Sequence, residues 1–197
     1  MTRYRIVVVT GNVNKKREIE LILSDFGESF EVLTEPSLRK LEIQADQVED
    51  IARAAIENIA RVVKPRSSTY IVVEDDGLYI EALGGFPGPY SEYVYRTIGL
   101  RGVLKLLEDV DNRRAVFKSA LGVYTPSGKI EVVCGEVSGY IARELRGSGG
   151  FGYDPIFVPD GYDVTFAEMS LEEKCRVSHR ARAFRELGKL ILSGSLA

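Results

Sequence analysis

Histidine, cysteine and excess positive charge are scarce in this chain of 197 residues, which has one histidine and two cysteines. Cys134 and Cys175 form no metal-ligand spacing, and two isolated thiols fit a reducing, cytoplasmic setting. The 26 Lys and Arg are outnumbered by 29 Asp and Glu, for a net charge of −3, which argues against a nucleic-acid polymer as partner. A small anion stays compatible with that balance, since a basic pocket does not require a basic protein. No apolar run approaches the roughly 20 residues of a membrane span. Met1 to Arg5 leads into only a short apolar run, unlike a signal peptide. The GxxxxGK[ST] phosphate loop is absent, no Ser or Cys nucleophilic triad is apparent, and there is no internal repeat or low-complexity linker. With 45% hydrophobic and 28% charged residues, the chain has the composition of a soluble globular protein. Its length suits one large domain or two small lobes.

What is present centres on Ile71 to Ser91. Ile71, Val72 and Val73 are β-branched and predict a buried strand. Glu74, Asp75 and Asp76 follow, and Gly77 is read as the turn that ends the strand. Three adjacent carboxylates repel one another and are costly to desolvate without a partner, so the cluster calls for a cation. All-oxygen ligands favour a hard ion, Mg²⁺ before Zn²⁺. Alternation along a strand sets Asp75 on the face opposite Glu74 and Asp76. The competing reading is an acidic turn in solvent. The Gly84-Gly85-Phe86-Pro87-Gly88-Pro89 run weighs against it by imposing an unusual backbone path close behind the carboxylates.

The rest of the chain alternates strands and helices before a later hairpin, which makes the class mixed α/β. Ile6 to Val9 predicts a strand. Ile19, Ile22, Leu23 and Phe26 mark one face of a helix, with Gly27 as its C-cap. Between them, Thr10-Gly11-Asn12-Val13-Asn14-Lys15-Lys16 offers a turn, a helix N-terminus and two lysines, a combination suited to phosphate but also common as a plain connection. Phe30 to Leu33 predicts a second strand. Asp46 with Glu49 resembles a capping box for a helix whose apolar face runs from Val48 to Val62. Leu100, Val103, Leu104 and Leu107 mark another helix. Residues 115–124 and 130–137 predict strands joined at Thr125-Pro126-Ser127-Gly128. The glycine-rich stretch from Gly147 to Pro155, with Phe151 and Tyr153, suggests backbone apposed to a flat ligand, against the alternative of a flexible loop. Ser170 and Glu173 form a capping box ahead of Lys174, and Ser178 caps the last helix. His179 and Arg180 open that helix, where a cation opposes the dipole, and a lone His there has a structural reading as well as a functional one.

Four segments together resemble the inosine triphosphate pyrophosphatase family, the non-canonical purine nucleoside triphosphate pyrophosphatases. They are Thr10 to Lys15; Glu74 to Leu78 continuing through Gly84 to Ser91; Gly149 to Phe157; and Phe166 to Ser170 continuing through Glu173-Lys174 to Ser178-His179-Arg180. Together they cover nearly the whole chain, and the stretch from Tyr93 to Leu100 looks most like archaeal members. The resemblance implies a single two-lobed α/β domain on a long mixed sheet, with the active site in the cleft between the lobes. It implies Mg²⁺-dependent hydrolysis of ITP, dITP and XTP to the monophosphate and pyrophosphate, a role in cleansing the nucleotide pool, and a homodimer. Carried over by residue, Asp75 matches the catalytic acid that acts on water and holds metal, and Glu42 matches a metal-ligating glutamate. Thr10, Gly11, Asn12, Val13, Asn14 and Lys15 match the triphosphate loop. Asp76, Phe151, Gly152, Tyr153, Asp154, Lys174, His179 and Arg180 match nucleotide-binding positions. The family commonly has Ser or Thr at Asp76 and Asn at Cys175, and a basic residue at Glu92 in some members. Arg180, which offers only hydrogen-bond donors, is the expected reader of the purine 6-carbonyl, and Phe151 or Tyr153 the expected stacking face. Related pyrophosphatases for other modified nucleotides and a non-catalytic nucleotide sensor are the alternatives.

Overall fold

The computed structural model describes residues 3–196. Among them, seven strands form one sheet: β1 (Tyr4–Val8), β2 (Phe30–Thr34), β3 (Thr69–Ile80), β4 (Pro87–Gly88), β5 (Arg114–Tyr124), β6 (Ile130–Ile141) and β7 (Phe157–Pro159). The order is β2-β1-β3-β5-β6-β7, with β4 on β3. β1 runs parallel to β2 and β3, and the other pairings are antiparallel, so the sheet is mixed as expected. The helices are α1 (Val13–Ser24), α2 (Val48–Ala60), α3 (Ser91–Thr97), α4 (Gly99–Leu106), α5 (Leu171–Val177) and α6 (His179–Leu192).

Two glycines let helices lie flush on opposite faces of the sheet. A Cβ at Gly122 of β5 would stand 2.3 Å from the Ala52 carbonyl oxygen of α2, and one at Gly135 of β6 would stand 2.2 Å from the Ala183 nitrogen of α6. α2 buries Val48, Ile51, Ala52, Ala55, Ile56 and Ile59 on this contact, and each fully buried isoleucine contributes ~1.5–3 kcal/mol.

The sheet forks at β3. Arg5 to Val8 of β1 pair with residues 69–72, and β4 pairs only with Leu78 and Tyr79. Among the described residues, no strand covers this edge of β3 from Val73 to Gly77. One core lies on the β1 side of the fork, around Ile6, Ile19, Ile22, Phe184 and Leu187. A second lies beyond it, around Leu78, Ile80, Val103, Phe117, Phe157 and Phe166. Glu74 and Asp76 share the face of β3 that carries both cores and sit between them, where the edge is open, and Asp75 points to the opposite face.

The structure corrects several expectations. β3 does not end at the carboxylates: Glu74, Asp75, Asp76 and Gly77 pair with Leu121, Ala120, Ser119 and Lys118 of β5. Gly77 is extended strand, and its missing side chain makes room for the Gly88 carbonyl, which a Cβ would approach to 2.9 Å. Asp46 does not cap α2. Gln47 holds the cap position without a side-chain hydrogen bond, and the Val48 N–H donates to the Tyr79 hydroxyl at 3.3 Å instead. Val62 lies past the end of α2 and is 75% exposed. α1 is capped at its C-terminus by Asp25, and Gly27 makes its left-handed turn (φ +64°) two residues later. The short α3 has no apolar periodicity long enough to be read. The hairpin turn at 125–128 and the caps at Ser170 and Ser178 are as expected, with Ser170 in a capping box with Glu173 and Ser178 accepting from the Ala181 N–H.

Candidate active site

The loop leaving β1 enters the fork. Asn12 caps α1, its Oδ1 accepting from the Asn14 N–H at 3.0 Å and the Lys15 N–H at 3.3 Å. The Thr10 hydroxyl oxygen in turn accepts from the Asn12 N–H at 3.1 Å. Gly11, Asn12, Val13 and Asn14 are all exposed, so the loop is open to solvent. Of the two lysines, only Lys15 turns inward. Its ammonium lies 2.7 Å from Asp76 and 3.1 Å from Glu74, while Lys16 pairs with Glu20 on the exposed face of α1. Burial works to lower the Lys15 pKa, but Asp76 and Glu74 overcome it and raise the value, so Lys15 stays charged.

Behind Lys15 lies a buried ionic network. Arg180, 1% exposed, donates from Nε to Glu74 at 2.7 Å, from one terminal nitrogen to Glu18 at 2.5 Å, and from the other to Asp76 at 2.6 Å. Lys174 bridges Glu18 and Asp154, at 2.6 Å each. Ser119 adds a hydrogen bond to Glu74 at 3.0 Å. Burial opposes ionisation of Glu18 and Asp76, yet the neighbouring cations prevail. Arg180 and Lys174 lower the Glu18 pKa, and Lys15 and Arg180 hold Asp76 well below the usual carboxylate range. Burial also works to lower the Arg180 pKa, and Glu74, Asp76 and Glu18 instead raise it. Glu18 escaped the sequence reading. The available signal was a glutamate four residues before Ile22, on the apolar face of α1; its partners, more than 150 residues away, left none.

The remaining predicted nucleotide-binding residues gather at the same network. The Phe151 ring centroid lies 4.5 Å from the Lys174 ammonium and 5.4 Å from the Arg180 guanidinium, cation–π contacts that hold the ring over the charges. Gly152 takes a left-handed φ of +60°, and Asp154 accepts the Phe151 N–H at 2.7 Å, closing the turn. Two expectations change here. Tyr153 is only 4% exposed, is packed edge-on against Phe117 and donates its hydroxyl proton to the Ser91 carbonyl, so of the two aromatics Phe151 alone remains a candidate stacking face. Arg180, expected to face a base, has all three nitrogens on carboxylates. His179 is stacked on Phe117 with centroids 4.0 Å apart, and burial pushes its pKa well below the usual range, so it is a neutral imidazole at neutral pH. A neutral ring removes the conflict with the helix dipole.

Asp75 points to the other face of β3, as alternation predicts. Its Oδ1 pairs with the ammonium of Lys40, which also lies 3.1 Å from a Glu42 carboxylate oxygen. Its Oδ2 is buried and has no hydrogen-bond partner. Burial pushes the Asp75 pKa up to about 6 against the pull of Lys40. Lys40 was also missed; it lies in the irregular connection between β2 and α2, where no periodicity marks it. Asp75 and Glu42 thus flank a point already occupied by a cation, and one buried oxygen lacks a partner. That oxygen-only set fits a hard divalent ion. Among the described residues no three carboxylate, imidazole or thiol groups converge on one point, so such an ion would draw most of its ligands from water or phosphate, the usual habit of Mg²⁺.

Comparison with known proteins places the chain among its relatives. A protein of Pyrobaculum aerophilum named dITP/XTP pyrophosphatase is 52% identical over 192 residues, 98% of each chain. One of the same name from Ignicoccus hospitalis is 50% identical over 96% of this chain and 97% of its own length. The HAM1 protein of Coxiella burnetii superposes with a TM-score of 0.80 at 27% identity, covering 96% of this chain and 99% of its own. The Staphylococcus aureus Ham1 protein gives 0.79 at 30% identity, covering 97% and 99%. The pattern of the Ham1 family matches residues 6–190, the span that carries the forked strand, the Lys15 loop and the buried ionic network, and the chain belongs to the Ham1 family.

Proposed function

We propose that the protein hydrolyses the non-canonical purine nucleoside triphosphates ITP, dITP and XTP to the monophosphate and pyrophosphate, and thereby removes deaminated purines from the nucleotide pool. The observation that carries the catalytic reading is Asp75, a carboxyl 8% exposed, on the open edge of β3, with one oxygen lacking a partner. The substrate class draws on the dITP/XTP pyrophosphatases that match nearly end to end.

In this reading the triphosphate enters the fork with its phosphates toward the Thr10–Lys15 loop and Lys15, the least buried cation of the network, with 19% of its side chain exposed. The N-terminus of α1 adds favourable dipole. Asp75 and Glu42 would hold Mg²⁺. When bound, that ion supplies Lewis-acid neutralisation of charge on the phosphate oxygens. Asp75, as a carboxylate, accepts a proton from a water aligned on the α-phosphorus. The water oxygen bonds to that phosphorus, the bond to the bridging oxygen breaks, and pyrophosphate leaves in one piece. Phe151 offers a face for the base. Arg180 and Lys174, anchored by Glu18, Glu74 and Asp154, fix the floor beneath it.

We also propose that the protein works in the cytoplasm as a homodimer. The exposed apolar side chains of Phe86, Tyr90, Tyr93, Tyr95 and Ile98 crowd one short stretch and support self-association; sedimentation at micromolar concentration tests it. The catalytic reading is tested by product analysis with ITP. IMP and pyrophosphate should appear only with a divalent ion, and stepwise release of orthophosphate, or full activity in excess EDTA, would refute it.

A further inference from the structure

Lys40 occupies the place between Asp75 and Glu42 proposed for the metal, and its surroundings say why. Its ammonium meets Asp75 Oδ1 and Glu42 Oε1 together. Only 18% of the Lys40 side chain is exposed, and 11% of that of Asp75, so this pair is shielded, whereas Glu42 is 68% exposed. Two carboxylates that converge at an open strand edge repel each other when no ion is present, and one of them is buried. A tethered ammonium resolves both problems. A divalent ion arriving at the same two carboxylates repels that ammonium and weakens its hold on them. The segment that bears it, between Thr34 and Val48, belongs to no helix or strand, so the side chain can leave without disturbing the sheet. The arriving triphosphate carries about four negative charges and is the nearest new partner for a displaced ammonium.

We propose that Lys40 is a resident counter-ion that holds Asp75 and Glu42 together before loading, is displaced when the divalent ion arrives, and then turns onto the polyphosphate that accompanies the ion. This rests on the assignment of Asp75 and Glu42 as metal ligands. Loading is therefore an exchange of cations at Asp75. Metal and lysine compete in the nucleotide-free protein, and they cooperate once a polyphosphate is bound.

The test reads metal and anion binding, without turnover. Mn²⁺ affinity of the nucleotide-free protein is measured by electron paramagnetic resonance of the free ion for wild type, Lys40→Met, Lys40→Arg and Asp75→Asn. Inorganic tripolyphosphate affinity of the Mn²⁺-loaded proteins is then measured by calorimetry. Removing a competing charge should tighten Mn²⁺ binding of Lys40→Met by at least ~5-fold, the low end of typical coupling between two ligands. Tripolyphosphate should bind Lys40→Met more weakly by a similar factor, and Lys40→Arg should stay near wild type in both. Unchanged or weaker Mn²⁺ binding in Lys40→Met, with Asp75→Asn losing Mn²⁺, overturns the exchange while sparing the metal site. Equal tightening in Lys40→Arg also overturns it, because charge would then not be the cause. Unchanged Mn²⁺ binding in Asp75→Asn removes the metal site itself, and the exchange with it.

Discussion

Asp75→Asn should raise the stability of the metal-free protein while abolishing most of its activity, and the gain should depend on pH in a defined direction. Burial lifts the Asp75 pKa from 3.8 to about 6. A carboxyl whose folded pKa exceeds its unfolded one favours the fold fully below the unfolded value, and the benefit is lost as pH rises through the folded value. Above about pH 6 the ionised group therefore burdens the fold. A shift of about 2 pH units at ~1.4 kcal/mol per unit gives a burden of ~3 kcal/mol. Asparagine has nearly the same shape and does not titrate. Its different hydrogen bond to Lys40 contributes equally at every pH and cancels when two pH values are compared.

Urea denaturation in EDTA at about pH 4.5 and about pH 8 isolates the titrating part. The stability of Asp75→Asn relative to wild type should improve by ~2 kcal/mol between the two, since the unfolded carboxyl is already mostly ionised at about pH 4.5. Added Mg²⁺ should then stabilise wild type at pH 8 and leave the variant almost unmoved. With ITP the variant's kcat should fall by at least ~10²-fold, as for the loss of a general base. A difference independent of pH, or a wild type that gains on the variant as pH rises, would show that Lys40 stabilises the carboxylate more than burial penalises it. Burial would then not govern the Asp75 carboxyl.

Lys15→Met should raise KM for ITP more than it lowers kcat, since Lys15 is the network cation nearest the opening; steady-state kinetics with an unchanged KM would assign Lys15 to Glu74 and Asp76 alone. Arg180→Ala leaves Glu18, Glu74 and Asp76 without their shared cation, and breaking a buried pair in this way costs ~3–5 kcal/mol, which chemical denaturation would register. The same variant should lose kcat/KM equally on ITP and ATP, and a loss confined to ITP would return Arg180 to a base-reading role. Gly135→Ala forces a Cβ to 2.2 Å from the Ala183 nitrogen, an overlap that overpacking data place at ~1–3 kcal/mol or above; a melting temperature equal to wild type would show that α6 can slide on the sheet.

Local patterns carried most of the fold. Alternation along β3 set Asp75 apart from Glu74 and Asp76, and caps at Ser170 and Ser178 fell where serine chemistry places them. The misplaced strand end has one physical origin. Three carboxylates and a glycine in a row read as a turn, because a strand tolerates such a run only when cations meet both of its faces. Lys15 and Arg180 meet one face and Lys40 the other, and none of the three is near in sequence. Gly77 misled in the same way. It is glycine because the Gly88 carbonyl of the facing strand needs the space, a reason invisible without the pairing of β3 with β4.

The site shows why residue type alone does not fix a residue's role. Arg180 has only donors, which suggested a carbonyl of a base as partner, yet carboxylates satisfy donors more strongly than carbonyls do. Glu18, 2% exposed on the inner face of α1, could not remain charged there without Arg180 and Lys174, and they in turn need its charge and those of Glu74, Asp76 and Asp154. Such a network stabilises little beyond what its desolvation costs, so its value lies in geometry: it holds Phe151 and the first turn of α6 in one arrangement beside the open edge of β3. Asp76 then has a role in that arrangement. Its second carboxylate oxygen is buried without a hydrogen-bond partner, 3.8 Å from the neutral ring of His179, while the first is shared by Lys15 and Arg180. A serine or threonine at this position would leave those two cations with one carboxylate fewer. The acidic residue therefore ties the phosphate-side lysine to the buried arginine, which links the loop after β1 to the start of α6 through a single side chain.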